Sequence, residues 1–294
     1  MAVYSIKELE SLSGIKAHTI RIWEKRYNLI EPHRTNTNIR YYTDSDLKKI
    51  LNVAVLNRHG IKISSIAKLD ELELREEILR VSASSDSSDT IIDSMVLSMI
   101  DLDEYKLESM IDRSIHKIGF KSTVTEVLYP FLEKLGILWL SGDVYPAQEH
   151  FVTYLIRQKI LAATENLSGT YNPDGKRFLL FLPEGEWHEI ALLFSQYLIR
   201  EANHEVIYLG QSVPYSDVLA MGASKRFDYL LFANSVSRSN FNLSTYLKDL
   251  GNAFPDKKIL YSSYLEAELP SSAPAKIVHL DQISDLIDFL ESIS

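Results

Sequence analysis

The fold of the amino-terminal part is decided by residues 4–50, which read YSIKELESLSGIKAHTIRIWEKRYNLIEPHRTNTNIRYYTDSDLKKI. Apolar residues recur at helical spacing in residues 5–12 and again in residues 18–27, which predicts two short helices. Gly14 lies between them, where a tight turn is required. Two short helices around a glycine turn are the minimum of a helix-turn-helix.

The residues that follow predict a wing. Residues 31–42 are polar, EPHRTNTNIRYY, and their Asn-rich centre suits the tip of a β-hairpin. Thr43 followed by Asp46 is typical of the N-cap of a further helix. A winged helix-turn-helix domain is therefore predicted for residues 1–80.

This segment resembles the DNA-binding domain of the MerR family in its HTIRIWEKRY helix, its LIEPHR exit and its Arg-Tyr-Tyr wing. The resemblance implies a transcriptional regulator that binds double-stranded DNA as a dimer reading two half-sites. Ile20, Ile22, Trp23 and Tyr27 are expected to be mainly structural. The residues expected to contact DNA are Lys16, His18, Thr19, Arg21, Lys25, Arg26, Arg34, Arg40 and Tyr41.

The distribution of charge supports a DNA-binding head. The chain carries a net charge of −9, but residues 1–69 hold twelve Lys and Arg against six Asp and Glu, a net +6 that leaves −15 for the remainder. A basic head on an acidic body indicates that only the head meets phosphate.

The absence of cysteine excludes disulfides, thiolate metal sites and a thiol nucleophile. The opening residues show no secretion signal, and no apolar run approaches the roughly 20 residues of a transmembrane helix. We therefore expect a cytoplasmic protein with no membrane partner.

The middle of the chain predicts a helical bundle. The segment SASSDSSDT at 82–90 is low in complexity and is expected to be a linker. From 90 to about 168 the apolar residues recur at three- and four-residue steps, which favours a bundle of about four helices within a domain of residues 81–170.

Residues 171–294 predict an α/β domain. Four apolar strand-like runs alternate with helical segments: RFLLFLP at 177–183, EVIYLG at 205–210, DYLLFAN at 228–234 and KKILYSS at 257–263. This alternation predicts a doubly wound, Rossmann-like (flavodoxin-like) parallel sheet, whose ligands bind beyond the carboxyl ends of the strands.

The bundle also resembles that of the light-responsive, cobalamin-dependent repressors of the CarH/LitR type, because Trp139 is followed after nine residues by Glu149 and His150. The order of domains is the same. The resemblance implies that Trp139 and Glu149 contact the adenosyl group of adenosylcobalamin, and that His150 can ligate cobalt from above. It also implies assembly as a dimer or tetramer that the cofactor, and light, control.

The loop after the first α/β strand reads PEGEWHE, in which Glu186 and His188 resemble the Asp/Glu-x-His-x-x-Gly motif of cobalamin-binding domains. The resemblance implies that His188 is the lower cobalt ligand and that Glu186 fixes its other ring nitrogen. Three positions depart from the family: Ala191 replaces the glycine, Ser212 is followed by Val and Pro, and Ser262 and Ser263 replace the paired glycines that line the nucleotide tunnel. These three serines complete the set of expected cofactor-binding residues.

The sequence thus predicts a regulator whose expected action is repression. No enzymatic activity is predicted, since no nucleotide-binding, metalloprotease or nucleophile motif is present. Two alternatives stay open. The α/β domain would be a degenerate, cobalamin-independent oligomerisation or partner-binding module, which Ala191, Ser262 and Ser263 favour. In the second alternative, residues 90–294 act as a corrinoid carrier in methyl transfer, which the MerR-like head disfavours.

Overall fold

The computed structural model describes residues 3–34, 38, 40–58, 60–70, 73, 74, 77, 88–140, 145–167, 172, 174–224, 226–235, 241–263 and 276–293. The chain divides into two compact units, residues 1–155 and 156–294. Residues 82–87 of the predicted linker lie outside the described residues, whereas residues 88–90 are helical, which corrects that part of the linker prediction.

The first unit begins with the predicted winged helix-turn-helix. Its elements are β1 (Val3–Tyr4), α1 (Ile6–Ser13), α2 (Ala17–Tyr27), β2 (His33–Arg34), β3 (Arg40–Thr43), α3 (Asp44–Arg58) and α4 (Ile63–Ile66). The strands form an antiparallel sheet in the order β1-β3-β2.

Local chemistry fixes where these helices begin and end. Glu10 accepts a hydrogen bond from the backbone N–H of Ala17 at 3.0 Å, which satisfies one of the open donors at the start of α2. Asn28 ends α2 in the left-handed conformation, with φ +50°. Thr43 and Asp46 form the predicted cap of α3, since the N–H of Thr43 donates to Asp46 Oδ2 at 2.8 Å and the N–H of Asp46 donates to Thr43 Oγ1 at 3.4 Å.

The helices predicted to form a four-helix bundle follow in α5 (Ser88–Ile100), α6 (Glu104–Ile118), a composite third helix, and α9 (Pro146–Glu165), whose residues 156–165 fall in the second unit. The third helix comprises α7 (Phe120–Thr123), a π-helical turn (Val124–Leu128) and α8 (Tyr129–Leu140). The π-helical turn ends one residue before the Tyr129–Pro130 bond, and Pro130 has no N–H to continue the helical ladder. Inside the bundle, Lys134 Nζ lies 2.5 Å from the buried carboxylate of Asp93.

The sheet of the second unit has five parallel strands in the order β5-β4-β6-β7-β8. The strands are β4 (Arg177–Pro183), β5 (Glu205–Val213), β6 (Tyr229–Asn234), β7 (Lys258–Ser263) and β8 (Ile277–His279), and the helices are α10 (Ile190–Glu201), α11 (Tyr215–Ser224), α12 (Leu243–Ala253) and α13 (Ile283–Ile293). This strand order is the flavodoxin-like form of a doubly wound sheet, so the predicted fold class is confirmed. The strand order reverses between β4 and β6, and ligands of such sheets bind at this point, beyond the carboxyl ends of the strands.

Candidate functional site

The loop 184–189 follows β4 and carries the candidate site. The N–H of Glu186 donates to Pro183 O at 2.9 Å, closing a turn in which Gly185 adopts φ +80°, a conformation that glycine reaches without strain. The turn directs the side chain of Glu186 into the protein, where it is fully buried. The next two side chains, Trp187 and His188, are each 63% exposed.

The carboxylate of Glu186 organises this loop. Its Oε1 accepts hydrogen bonds from the N–H of Trp187 at 2.9 Å and from the N–H of His188 at 3.0 Å, and lies 2.7 Å from His188 Nδ1. Its Oε2 accepts a hydrogen bond from the N–H of Ser235 at 2.8 Å. When Nδ1 of a histidine is engaged by a carboxylate, Nε2 is the nitrogen that binds a metal.

Burial would by itself raise the pKa of Glu186, but the hydrogen bonds from His188 and Ser235 outweigh it and lower the pKa from 4.5 to about 2. Glu186 therefore stays ionised at neutral pH. An ionised carboxylate beside Nδ1 orients the imidazole ring and increases its basicity as a ligand.

The end of β5 supports the loop from one side. The N–H of Gly185 donates to Ser212 Oγ at 2.9 Å, and the N–H of Ser212 donates to Glu186 O at 3.0 Å. Ser212 reaches this position because β5 shifts its register twice against β4 and has left-handed backbone at Gly210 and Ser212, with φ +88° and +49°. Ser212, which the sequence predicts as a cofactor contact, thus holds the loop through two hydrogen bonds.

A second buried carboxylate lies at the other end of the loop. Arg157 Nε donates to Glu189 Oε1 at 2.5 Å, and the hydroxyl of Tyr208 donates to Glu189 Oε2 at 3.4 Å. Burial first, and then the charge of Glu189, raises the pKa of Tyr208, so that its hydroxyl keeps its proton. No sequence pattern marks Arg157, Tyr208 or Ser235. The one sequence signal of this second network is Glu189, which directly follows His188.

The remaining positions of the predicted cofactor site lie in β7 and α10. Ser262 and Ser263 end β7, partly buried, in register with Ala233 and Asn234 of β6. Ala191 lies in the first turn of α10 and is also partly buried.

The three residues of the bundle motif lie on two helices. Glu149 and His150 occupy the first turn of α9, with 3.5 Å between Glu149 Oε2 and His150 Nε2, and His150 is exposed. Trp139 belongs to the end of α8, and its side chain lies outside the described part of the protein.

The predicted DNA-contacting residues lie on one helix and one hairpin. Lys16, His18, Arg21, Lys25, Arg26, Arg34 and Arg40 are exposed, and Thr19 and Tyr41 are partly exposed. Helix α2 is fixed to the sheet because the hydroxyl of Tyr42 donates to Glu24 at 2.5 Å. In the hairpin, Arg34 donates to Asn38 Oδ1 at 2.7 Å, and the rings of His33 and Tyr41 stack with centroids 5.3 Å apart.

Of the four residues expected to be structural, Ile20 and Trp23 are buried and Tyr27 is partly buried. Ile22 differs, because its side chain is 46% exposed. Core packing therefore does not explain why an apolar residue occupies position 22. It adds an apolar residue to the exposed part of α2 next to Arg21.

No helix within the described ranges combines the length and the apolar character of a transmembrane span.

Comparisons with known proteins give matches for the head and for the helical bundle. Residues 4–72 match the family model described as a MerR HTH family regulatory protein, and residues 91–163 match the model described as a B12 binding domain. The HTH-type transcriptional repressor CarH of Myxococcus xanthus is 30% identical over 258 residues, which cover 86% of this chain and 85% of that repressor. The repressor CarA of the same organism is 24% identical and is matched over 83% of this chain and 81% of its own length.

A solved structure has a fold similar to that of most of this chain. The monomethylamine corrinoid protein of Methanosarcina barkeri superposes with a TM-score of 0.56 at 12% identity, covering 71% of this chain and all of that one. At this identity the likeness concerns the fold.

Proposed function

Because this chain belongs to the MerR-type repressors typified by CarH, we propose that it is a DNA-binding transcriptional repressor whose operator binding is controlled by adenosylcobalamin. One observation carries the cofactor part of this proposal: an exposed imidazole, held through Nδ1 by a buried, ionised carboxylate, stands where a flavodoxin-like sheet binds its ligands. We assign the DNA-binding domain to residues 1–80, the helical cap to 81–170 and the α/β domain to 171–294.

The described residues fit a cobalt-binding site. In the proposal His188 would hold cobalt through Nε2, while Glu186, itself held by Ser235, would keep the ring oriented. Ser212, Ser262 and Ser263 would line the space for the nucleotide tail. Trp139, Glu149 and His150 would contact the upper side. The chemistry that adenosylcobalamin supplies is a light-sensitive bond between cobalt and its upper ligand.

DNA binding in this proposal rests on α2 and the hairpin. The exposed Lys and Arg side chains of α2 contact phosphates and base edges, and Arg34 and Arg40 contact the backbone beside the hairpin. A protein that binds two DNA half-sites in this way acts as a symmetric dimer or a higher oligomer. Cobalamin changes DNA affinity only as far as it binds the assembled and dissociated forms with different affinity.

The function is tested with the full chain and adenosylcobalamin in darkness. We expect corrinoid absorbance to survive desalting, and illumination to change both the absorbance and the size-exclusion elution. His188→Ala should weaken cofactor retention at least about tenfold, because the proposed metal site loses its lower imidazole. His116→Ala, an exposed histidine of α6, is the matched control and should bind as the wild type does.

A second candidate is favoured by Ala191, Ser262 and Ser263, which add atoms where the family has glycines. In this alternative the α/β domain is a cobalamin-independent oligomerisation or partner-binding module. Wild-type protein that loses all corrinoid absorbance on desalting, yet still elutes as an oligomer and binds its operator, would favour this alternative. We propose no catalytic activity for either form.

A further inference from the structure

A second carboxylate, that of Glu189, supports the loop that carries His188. The residue that holds this carboxylate, Arg157, lies outside both predicted cofactor motifs. Glu189 directly follows His188, and its side chain is only 10% exposed. Its partners come from two other elements, Arg157 from α9 and Tyr208 from β5. Burying a carboxylate is strongly unfavourable unless a cation and further donors compensate it, so the position of Glu189 depends on Arg157.

Glu189 also fixes the backbone on the far side of His188. It is the residue before α10, and its carbonyl oxygen accepts a hydrogen bond from the N–H of Leu193 at 2.8 Å. Glu186 fixes the near side through its bonds to residues 187, 188 and 235. The backbone of His188 is thus held between two buried carboxylates.

We propose that Arg157 is a positioning residue for the His188 imidazole, acting through Glu189. This inference rests on the proposed function, because it concerns how well His188 is held for cobalt. Arg157 lies in α9, the helix whose first turn carries Glu149 and His150, and within residues 91–163 that match the B12 binding domain. Part of the support of loop 184–189 therefore comes from α9.

The sequence offers a matched control in a second Arg–Glu pair of the same unit. Arg177 Nε donates to Glu205 Oε2 at 2.5 Å, with side chains 40% and 31% exposed. This pair joins the amino ends of β4 and β5, whereas loop 184–189 follows the carboxyl end of β4. Arg177→Gln removes a more exposed Arg–Glu ion pair of the same unit, together with a hydrogen bond from Arg177 Nη1 to Arg226 O, without touching the loop.

The first measurement needs no cofactor. In the ligand-free full chain, hydrogen exchange of the N–H groups of Trp187 and His188 reports how firmly Glu186 and Glu189 hold the loop. We expect Arg157→Gln to accelerate this exchange about tenfold or more, because a buried carboxylate loses its cation. Arg177→Gln should leave the exchange of these two groups unchanged.

The second measurement reads the ligand itself. Cob(II)alamin is added to protein labelled with nitrogen-15 histidine, and the change in nuclear hyperfine pattern of its electron paramagnetic resonance spectrum gives the fraction coordinated by histidine. We expect Arg157→Gln to lower this fraction and to weaken binding about tenfold. Arg157→Gln/Glu189→Gln should recover much of both the coordination and the affinity, because the buried charge is gone. A purely structural role would affect global stability and leave the histidine-coordinated fraction unchanged.

The outcomes separate the two proposals. If Arg157→Gln matches the wild type in exchange and in histidine coordination, the positioning role is overturned. If the wild type itself binds no cobalamin, the proposed cofactor fails, and the exchange measurement still decides whether Arg157 holds the loop.

Discussion

At the scale of single residues, the carboxylate of Glu186 does most to define the site. It is fully buried, yet its hydrogen bonds hold the pKa at about 2, below its usual value of 4.5. A difference of this size corresponds to about 3 kcal/mol of stabilisation at neutral pH. The same bonds that orient His188 therefore also stabilise the second unit.

This stabilisation has a defined pH dependence. A carboxyl group whose pKa is lower in the folded protein contributes fully above pH 4.5, and the contribution is lost as the pH falls from 4.5 to about 2. We expect Glu186→Gln to lower the free energy of unfolding by up to about 3 kcal/mol at pH 7 and much less near pH 2. Urea denaturation at both pH values measures the difference. Equal decreases at the two pH values would contradict the charge-based explanation.

The sequence predicted Glu186 and His188 as cofactor residues through their resemblance to the Asp/Glu-x-His-x-x-Gly motif of cobalamin-binding domains, whose residues lie within one short loop. It did not identify Ser235 or Arg157, whose hydrogen bonds to the loop span 49 and 32 residues. A backbone N–H such as that of Ser235 carries no signature in residue type.

Ile22 was misassigned because helical periodicity alone does not tell a buried apolar position from an exposed one at the edge of the apolar face.

At the scale of elements, long apolar segments were predicted closely and short or irregular ones were not. The sequence located β4, β6 and β7 to within a residue, because they are buried central strands with continuous apolar runs. It missed β8, which has three residues, and the last three residues of β5, where register shifts break the pattern. The π-helical turn in the bundle has no periodic signal of its own.

The junction between β3 and α3 gives a prediction at this scale. Thr43 ends the wing strand and caps α3 through Asp46, so that one side chain links the two elements. We expect Thr43→Ala to destabilise this junction by about 1 kcal/mol, because an open helix N–H no longer has its acceptor. Faster hydrogen exchange of the Asp46 N–H would report the change. Thr43→Ser keeps the hydroxyl and should behave as the wild type does, and fast exchange in both variants would point to another cause.

At the scale of the whole molecule, charge is divided between the two ends of the chain. The first 69 residues carry +6 and the rest carries −15. The net negative charge of the remainder repels a polyanion, so we expect affinity for DNA to be concentrated in the head. This division was predicted from the sequence alone, because net charge needs no knowledge of the fold.

The salt dependence of operator binding tests this division. We expect Arg40→Gln to flatten the slope of log affinity against log salt by about one for each phosphate that the variant no longer neutralises. The measurement is a titration between about 50 and 200 mM salt. Arg113→Gln, an exposed cation of α6, removes the same charge outside the head and should leave the slope unchanged. A slope that flattens equally in both variants would contradict the assignment.

The bond from Ser235 to Glu186 has a consequence for the order of events during synthesis. Residues 184–189 are made early, but one of their fixing groups is made 49 residues later, after β5, α11 and β6. Under the proposed function, a growing polypeptide therefore lacks one of the groups that hold Glu186, and through it His188, until residue 235 has left the ribosome. Ribosome-bound chains stopped before that point should fail to capture corrinoid, which ties loading of the vitamin to completion of the third strand of the sheet.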